Sequence, residues 1–200
     1  FGVGGVGAGN GDAEFGGGGG GAGLGGAIFS RAGSIRILGN TTTTGNRVVG
    51  GRSGSEIAGS GSSAGEDFFG VSNGKDGFTS LIFDPIANRT ISFTGSIGDT
   101  SVNTLSKGDN PGNGPGLRLT KNGEGKVILL GANTYSGGTT ITAGLLEGNT
   151  SSLQGNISND GTLTFNQSDA AGAYVGIISG SGTFIKEGRA TLTLIEANTY

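Results

Sequence analysis

Short segments in which apolar residues alternate with Thr, Ser or a charged residue recur along the chain from Ala27 onward. Alternation with a period of two is the pattern of a β-strand that buries one face. The clearest segments are 34–38, 80–83, 90–94, 126–129, 140–142, 162–165, 183–185 and 191–194. The pattern predicts that ten side chains point inward: Ile35, Ile37, Ile91, Phe93, Ile141, Leu163, Phe165, Phe184, Leu192 and Leu194.

These segments are short, and Gly, Asn and Ser separate them. No stretch carries apolar residues at helical spacing over three turns, so the sequence predicts an all-β chain. Short strands with frequent turns fit the coils of a parallel β-helix, or solenoid, better than the long strands of a sandwich. The step from Gly161-Thr162-Leu163 to Gly182-Thr183-Phe184 predicts the length of one coil.

A longer repeat supports this interpretation. In this long repeat, 117–135 return as 182–200 at a constant offset, with identity at the Lys, at the Gly two positions later, at one Leu and at the whole Ala-Asn-Thr-Tyr run. Long-range self-similarity is typical of stacked folds whose units bury their apolar faces only against their neighbours. Three of the single-coil steps come close to the offset of the long repeat, so we expect the repeat to equal three coils.

Composition divides the chain into regions. Gly accounts for 47 of the 200 residues, and residues 1–26 form a Gly-rich tract that is either a linker or the first solenoid turns. The sequence predicts coils over 27–116, interrupted by loop excursions at 50–77 and 98–116, and further coils over 117–200. Gly108–Gly116 holds two of the three prolines, which cannot continue a strand ladder.

Charge and residue usage narrow the function classes. The formal net charge is −3 and the twelve Lys and Arg residues are scattered, so there is no electrostatic footprint for nucleic acid. No apolar run is long enough for a membrane helix, and no export signal opens the chain. Cys and His are absent, which removes thiolate ligands and the commonest general base and metal ligand.

Residues 119–146 run Leu119-Thr120-Lys121-x-Gly123-x-Gly125-Lys126-Val127-Ile128-Leu129-Leu130-Gly131-Ala132-Asn133-Thr134-Tyr135-Ser136-Gly137-Gly138-Thr139-Thr140-Ile141-x-Ala143-Gly144-Leu145-Leu146. This stretch resembles the autotransporter-associated β-strand repeat found in the passenger domains of bacterial type V secretion. The chain departs from the family pattern mainly at Lys126, where Thr is usual. The second copy departs further, with Ala190 and Glu196 at positions that hold Gly in the first copy.

The resemblance implies a right-handed, single-stranded parallel β-helix that serves as a rigid spine at the bacterial surface. It implies adhesion, aggregation or display as the role, with host cells, matrix, glycans or further copies as partners. It also implies an export signal upstream and an outer-membrane β-barrel downstream in the parent protein. The expected roles of its residues are structural: Asn133 would bond its own backbone or pair with the Asn of an equivalent corner, Tyr135 would lay its ring on the coil below with the hydroxyl at the rim, and Gly137 and Gly138 would permit a sharp corner.

Two alternatives stay open beside this spine: a polysaccharide-active enzyme on a β-helix, and a spine that presents a ligand-binding loop at 50–77 or 98–116. We expect no catalytic, cofactor or metal site. The Gly2-x-Gly4-x-x-Gly7 pattern lacks the flanking strand and helix of a dinucleotide site, and Gly70–Gly74 matches a nucleophile elbow that no His can complete. Four oxygen-bearing residues at 98–116 lack the spacing of a calcium loop: Asp99, Asp109, Asn110 and Asn113.

Overall fold

The computed structural model describes residues 23–31, 33–49, 63–71, 79–99 and 116–200. These residues form strands and turns, with no helix. Nothing in this part of the chain is a helix long and apolar enough to cross a membrane.

The first nine strands are β1 (Gly23–Leu24), β2 (Ile28–Arg31), β3 (Ser34–Ile37), β4 (Thr41–Thr43), β5 (Ser63–Ala64), β6 (Phe68–Val71), β7 (Thr79–Phe83), β8 (Thr90–Phe93) and β9 (Ile97–Asp99). The next ten are β10 (Leu117–Lys121), β11 (Lys126–Leu129), β12 (Thr139–Ile141), β13 (Leu145–Gly148), β14 (Ile157–Asn159), β15 (Thr162–Asn166), β16 (Gly172–Tyr174), β17 (Ile178–Ser179), β18 (Thr183–Glu187) and β19 (Leu192–Leu194).

The strands stack into parallel sheets. Sheet 1 has the order β3-β7-β10-β12-β14-β17, sheet 2 has the order β4-β8-β11-β13-β15-β18, and sheet 3 has the order β2-β6-β9. The pairs β1-β5 and β16-β19 complete the set, and every strand pair among the described residues is parallel. The chain alternates between sheets 1 and 2 as it advances, which is the arrangement of a parallel β-helix. This confirms the predicted all-β solenoid class.

The core lies between the sheets, where side chains of like kind stack in columns. Ile91, Val127, Leu146 and Leu163 occupy consecutive registered positions of sheet 2, and all four are fully buried. Each buried aliphatic side chain contributes about 1.5–3 kcal/mol through removal of its apolar surface from water. The stack of columns is therefore the main source of stability.

The predicted inward-facing residues follow this pattern, with a gradient along the stack. Five are buried: Ile91, Phe93, Ile141, Leu163 and Phe165. Four more pack half-buried against the core: Ile35, Ile37, Phe184 and Leu192. Leu194 is exposed, because β19 belongs to the last described pass and nothing in the structure stacks above it.

A pass is the stretch of chain between registered positions of one sheet. In sheet 2, Lys126 pairs with Leu145, Leu145 with Thr162 and Thr162 with Thr183, so the chain returns to this sheet after three unequal intervals. The coil predicted from the sequence corresponds to the pass from Thr162 to Thr183, which is the longest of the three. Earlier passes are longer still, with Thr41 paired to Ile91 and Thr90 paired to Lys126.

The extra residues of the earlier passes fall at 50–62, 72–78 and 100–115, which lie outside the described residues. The predicted excursion at 50–77 does not hold for residues 63–71, which form β5 and β6 and stack in register on β1 and β2. In the same way Ile97–Asp99, at the edge of the predicted excursion at 98–116, forms β9. Of the Gly-rich tract 1–26, residues 23–26 are described, and Gly23–Leu24 forms β1.

The long repeat does not return to the same sheet. β10 lies in sheet 1, whereas the corresponding residues of the second copy form β18 in sheet 2. Likewise β11 lies in sheet 2 and its counterpart β19 pairs with β16. Three passes carry the chain from Lys126 in β11 only as far as Thr183 in β18, and the repeat ends one strand later. The expectation that the repeat equals three coils is corrected accordingly.

Candidate functional site

The corners between strands bury polar side chains, and these are the first candidates for chemistry. The buried polar residues include Asp67, Asp99, Lys121, Asn133, Asn159 and Gln167. A buried polar group is costly unless it has a hydrogen-bond partner, so the partners of each group indicate its role.

Asp67 joins neighbouring turns of the chain. Its carboxylate accepts hydrogen bonds from the Thr43 hydroxyl, the Asn46 amide at 2.7 Å and the Gly95 N–H at 2.7 Å. The side chain is fully buried. Its oxygens are thus occupied by donors from the pass before it and from the end of its own pass.

Asp99 does the same at the end of β9. Oδ2 accepts from the Leu117 N–H at 2.6 Å, the Ser136 N–H at 2.8 Å and the Ser136 hydroxyl at 3.0 Å. This geometry does not support Asp99 as a calcium ligand, because its Oδ2 already accepts three hydrogen bonds. Asp109, Asn110 and Asn113 lie outside the described residues.

Asn133 links three passes. Its Oδ1 accepts from the Ile97 N–H at 2.7 Å, and its Nδ2 donates to the Ser152 carbonyl at 2.7 Å. The expectation that Asn133 bonds its own backbone is therefore wrong. In the second copy, Asn198 Oδ1 accepts from the Ile178 N–H at 2.7 Å, the same kind of contact.

The turn after this Asn buries Tyr135. Its hydroxyl lies 2.9 Å from the Thr139 hydroxyl and accepts a hydrogen bond from the Gln154 N–H at 3.1 Å. The hydroxyl is therefore buried, whereas the sequence predicted that it would lie at the rim. Burial raises the pKa of Tyr135, against the two hydrogen bonds, which lower it. Burial, together with the nearby Tyr135, also raises the pKa of Tyr174. Both phenols are neutral structural groups.

Gly138 adopts a φ of 77°, as expected of a sharp corner. Gly137 instead meets a crowding requirement, because a Cβ there would lie 2.7 Å from the Leu117 carbonyl oxygen. One glycine is needed for its backbone angle and the other for its lack of a side chain.

Lys121 is fully buried in the inward-facing column of sheet 1. Its Nζ donates to three backbone carbonyls, those of Asn122 at 2.8 Å, Gly123 at 2.9 Å and Ala143 at 2.9 Å. Burial lowers the pKa of Lys121 to about 8, although the charge of Glu124 acts in the opposite direction. Sequence reasoning missed this residue as a buried group; its place at an inward position of the alternation was the available signal.

Two ion pairs lie on the outer surface of the described structure. Arg36 pairs with Asp84, and Lys126 pairs with Glu147 at 2.6 Å. Burial by itself would raise the pKa of Glu147, but hydrogen bonds from Lys126 and Asn166 and the Lys126 charge lower it overall. Such pairs at a partly exposed surface contribute little to stability.

A shallow groove of about 570 Å³ runs along the corner between sheets 1 and 2. Glu124 and Asp160 are its two carboxylates, and the remainder of its lining is Thr142–Leu145, Gly161 and Thr162. A polysaccharide-cleaving site needs acidic and basic side chains that converge on one bond. The lining of this groove includes two carboxylates and no basic side chain.

No group of three or more His, Cys, Asp or Glu side chains is placed to hold a metal within the ranges that the structure describes. Of the nucleophile-elbow pattern, Gly70 and Val71 lie buried in β6, while residues 72–74 are outside the described ranges. The Gly2–Gly7 pattern also lies outside them.

From β10 to β17 the outward wall of sheet 1 is a ladder of hydroxyl groups, and the same row continues with Ile82 on β7 and Arg36 on β3. Thr120, Thr140, Ser158 and Ser179 are successive registered neighbours on β10, β12, β14 and β17. A second row beside it holds Asn122 and Thr142, joined at 2.7 Å. This part of the wall is polar and at least partly exposed, whereas the interior polar groups are bonded to backbone or to neighbouring side chains.

Stacked parallel strands with polar corners, a polar wall and a repeating unit define a class of elongated repeat proteins. Within this chain, residues 119–147 match the family model of the passenger-associated transport repeat. Over 99 residues, which are 47% of this chain and 3% of the relative, the chain is 40% identical to the adhesin BmaC autotransporter of Brucella suis biovar 1 (strain 1330). The chain is thus similar to a passenger-associated transport repeat over 119–147 and, over about half of its length, to a small part of an autotransporter adhesin. No solved structure matches it.

Proposed function

We propose that this segment is a rigid spine of an autotransporter passenger, held at the bacterial surface, whose outer wall serves adhesion. The observation that carries the proposal is the stack itself: parallel passes whose buried polar groups are bonded to backbone or to neighbouring side chains. The similarity to a Brucella protein named as an adhesin supports the same role. The parent protein would supply the export signal and the outer-membrane anchor.

The proposal contains no catalytic step. Asp67, Asp99 and Lys121 are fully or almost fully buried and are bonded within the corners, so they are poorly placed to meet a substrate. The exposed alternative is the two-carboxylate groove beside sheet 1. Adhesion by an extended wall requires neither the buried charged residues nor the groove.

An adhesion assay tests the proposal. Beads coated with the 200-residue chain are expected to bind mammalian epithelial monolayers at least fivefold more than uncoated beads. Phe93→Asp, which places a charge in the buried stack, should abolish this excess. Ile86→Asp adds the same charge at a side chain that is 67% exposed and should leave binding unchanged. Equal binding by coated and uncoated beads would contradict the proposal, and clumping of beads would point to self-association.

A second candidate is a ligand-binding loop presented by the spine. One contact favours it: Asp99 accepts the Leu117 N–H at 2.6 Å, so the two ends of the 100–115 segment are held together. Long segments whose ends are fixed by a rigid scaffold often carry recognition.

Replacement of residues 102–113 by a short Gly-Ser linker separates the two candidates. If the wall binds, adhesion and the thermal unfolding midpoint should both stay within error of the original chain. If the loop binds, adhesion is lost while the unfolding midpoint is kept.

A further inference from the structure

The most unusual buried group in the described structure is Lys121. It lies in sheet 1 between its registered neighbours Phe83 and Ile141, both of which are fully buried and apolar. An ammonium group at an inward position of an apolar column is unfavourable unless its donors are matched. The contacts of Lys121 therefore have a structural purpose that an apolar residue would not need.

The three acceptors of Lys121 come from two different passes. The carbonyls of Asn122 and Gly123 belong to the turn after β10, and the carbonyl of Ala143 belongs to the turn after β12. One side chain thus connects the same corner of two successive passes. A protonated amine has three donors, which equals the number of carbonyls that it meets.

The neighbouring glycine makes room for this contact. A Cβ on Gly144 would lie 2.6 Å from Lys121 Nζ and 2.5 Å from the carbonyl oxygens of Gly123 and Gly125. The corner is therefore shaped to receive an ammonium group.

The apolar pattern alone leaves one ambiguity in the stacking. A slip of one residue between β10 and β12 turns every side chain to the wrong face, but a slip of two residues keeps the alternation. Such a slip would move Ala143 away from Lys121 and leave a buried charge short of an acceptor. We propose that Lys121 fixes the register between the pass that contains β10 and the pass that contains β12.

Two other polar contacts join the same passes, and both lie outside the apolar column. Asp99 accepts the N–H groups of Leu117 and Ser136 near the beginnings of the passes, and Thr142 donates to Asn122 Oδ1 on the outward side of the corner. Lys186 is the counterpart of Lys121 in the second copy, and its Nζ donates to the Gly188 carbonyl in its own turn. Lys186 is exposed in the last described pass, which makes it a matched control.

The chain has no Cys, so pairs of introduced cysteines report the register directly. Thr120→Cys with Thr140→Cys joins Cα partners of the native register, on the outward face. Thr120→Cys with Thr142→Cys would report a slip of two residues in one direction, and Asn122→Cys with Thr140→Cys would report a slip of two residues in the other. Mild oxidation followed by peptide mass spectrometry gives the ratio of slipped to native disulfide.

With Lys121 present, we expect the slipped disulfides to form at less than about one tenth of the native yield. Lys121→Met keeps the volume and removes the charge, and it should raise the slipped-to-native ratio at least tenfold. Lys186→Met should leave the ratio unchanged. A ratio in Lys121→Met within twofold of the original chain would overturn the proposal.

If Lys121→Met forms neither kind of disulfide, Lys121→Ala decides the question. Propylammonium in the buffer replaces the missing part of the side chain and should restore the native disulfide. No restoration, or equal restoration by propanol, would overturn the proposal.

Discussion

At the scale of single residues, the backbone is the partner of nearly every buried polar side chain described above. Asp67, Asp99 and Asn133 accept N–H groups that a corner leaves outside the strand ladders. Buried N–H and C=O groups without a partner are costly, and a chain that turns this often exposes many of them. Asn and Asp at the turns thus stabilise the corners from inside.

The first prediction concerns the proton of Lys121. Its pKa is lowered from 10.5 to about 8, so between these values the unfolded chain binds a proton that the folded chain has released. The free energy of unfolding should therefore rise as the pH increases above about 8. The stability gained in this way is lost again when the pH falls through about 8, because the buried amine of the folded chain is then protonated. Urea denaturation at pH 7.5 and pH 9.5 measures the rise.

The window ends at pH 9.5 because the tyrosines act in the opposite sense. The raised pKa values of Tyr135 and Tyr174 give stability that is lost as the pH rises above 10, where the unfolded phenols ionise first. Lys121→Met keeps the tyrosines and removes the lysine. An equal rise in that variant would show that Lys121 is not the source.

At the scale of elements, each strand is defined by its own alternation, but its contribution to stability depends on the strands above and below. Phe93 in β8 is almost fully buried and packs edge-on against Phe83, with ring centroids 5.1 Å apart. Leu194 in β19 has the same sequence pattern and remains 38% exposed. Position in the stack, not the local sequence, separates the two.

The second prediction compares these two residues. Phe93→Ala removes a ring from a packed column and should lower the free energy of unfolding by about 3–5 kcal/mol. Leu194→Ala removes a side chain that is only partly packed, so its cost should be below about 1 kcal/mol. Urea denaturation of the whole chain measures both. Similar losses for the two variants would contradict the assignment of β19 to an uncovered pass.

At the scale of the whole molecule, the described passes contact mainly their neighbours. Stability in such a stack is close to a sum of local terms, so different passes can open at different free energies. The middle passes are covered above and below, while β18 and β19 carry the half-buried Phe184 and Leu192. Opening should therefore begin at this end of the described stack.

The third prediction follows from this gradient. Amide hydrogens of β18 and β19 should exchange at least tenfold faster than those of β11 and β13, because local opening exposes them first. Native-state hydrogen exchange read by mass spectrometry measures the rates. Equal protection along the stack would show that the chain unfolds as one cooperative unit.

Alternation predicted the strands well because it is a local property. Each predicted segment from Ser34 to Leu194 contains a strand, and the inward set is buried wherever a pass covers it. The repeat was harder to interpret. The stretch from Lys121 to Tyr135 encodes a strand, a corner and a strand, and nothing in that local pattern says which sheet receives them.

The sequence by itself determined the strand class, the inward face of each strand and the repeating corner, because period-two alternation and Gly-Asn turns act within a few residues. Only the tertiary structure decided which strands stack, and that the second copy enters one sheet later. The unequal lengths of the passes set that shift, and they are fixed by contacts between passes. The burial of Lys121 also emerged only there, since its third acceptor, Ala143, belongs to the next pass.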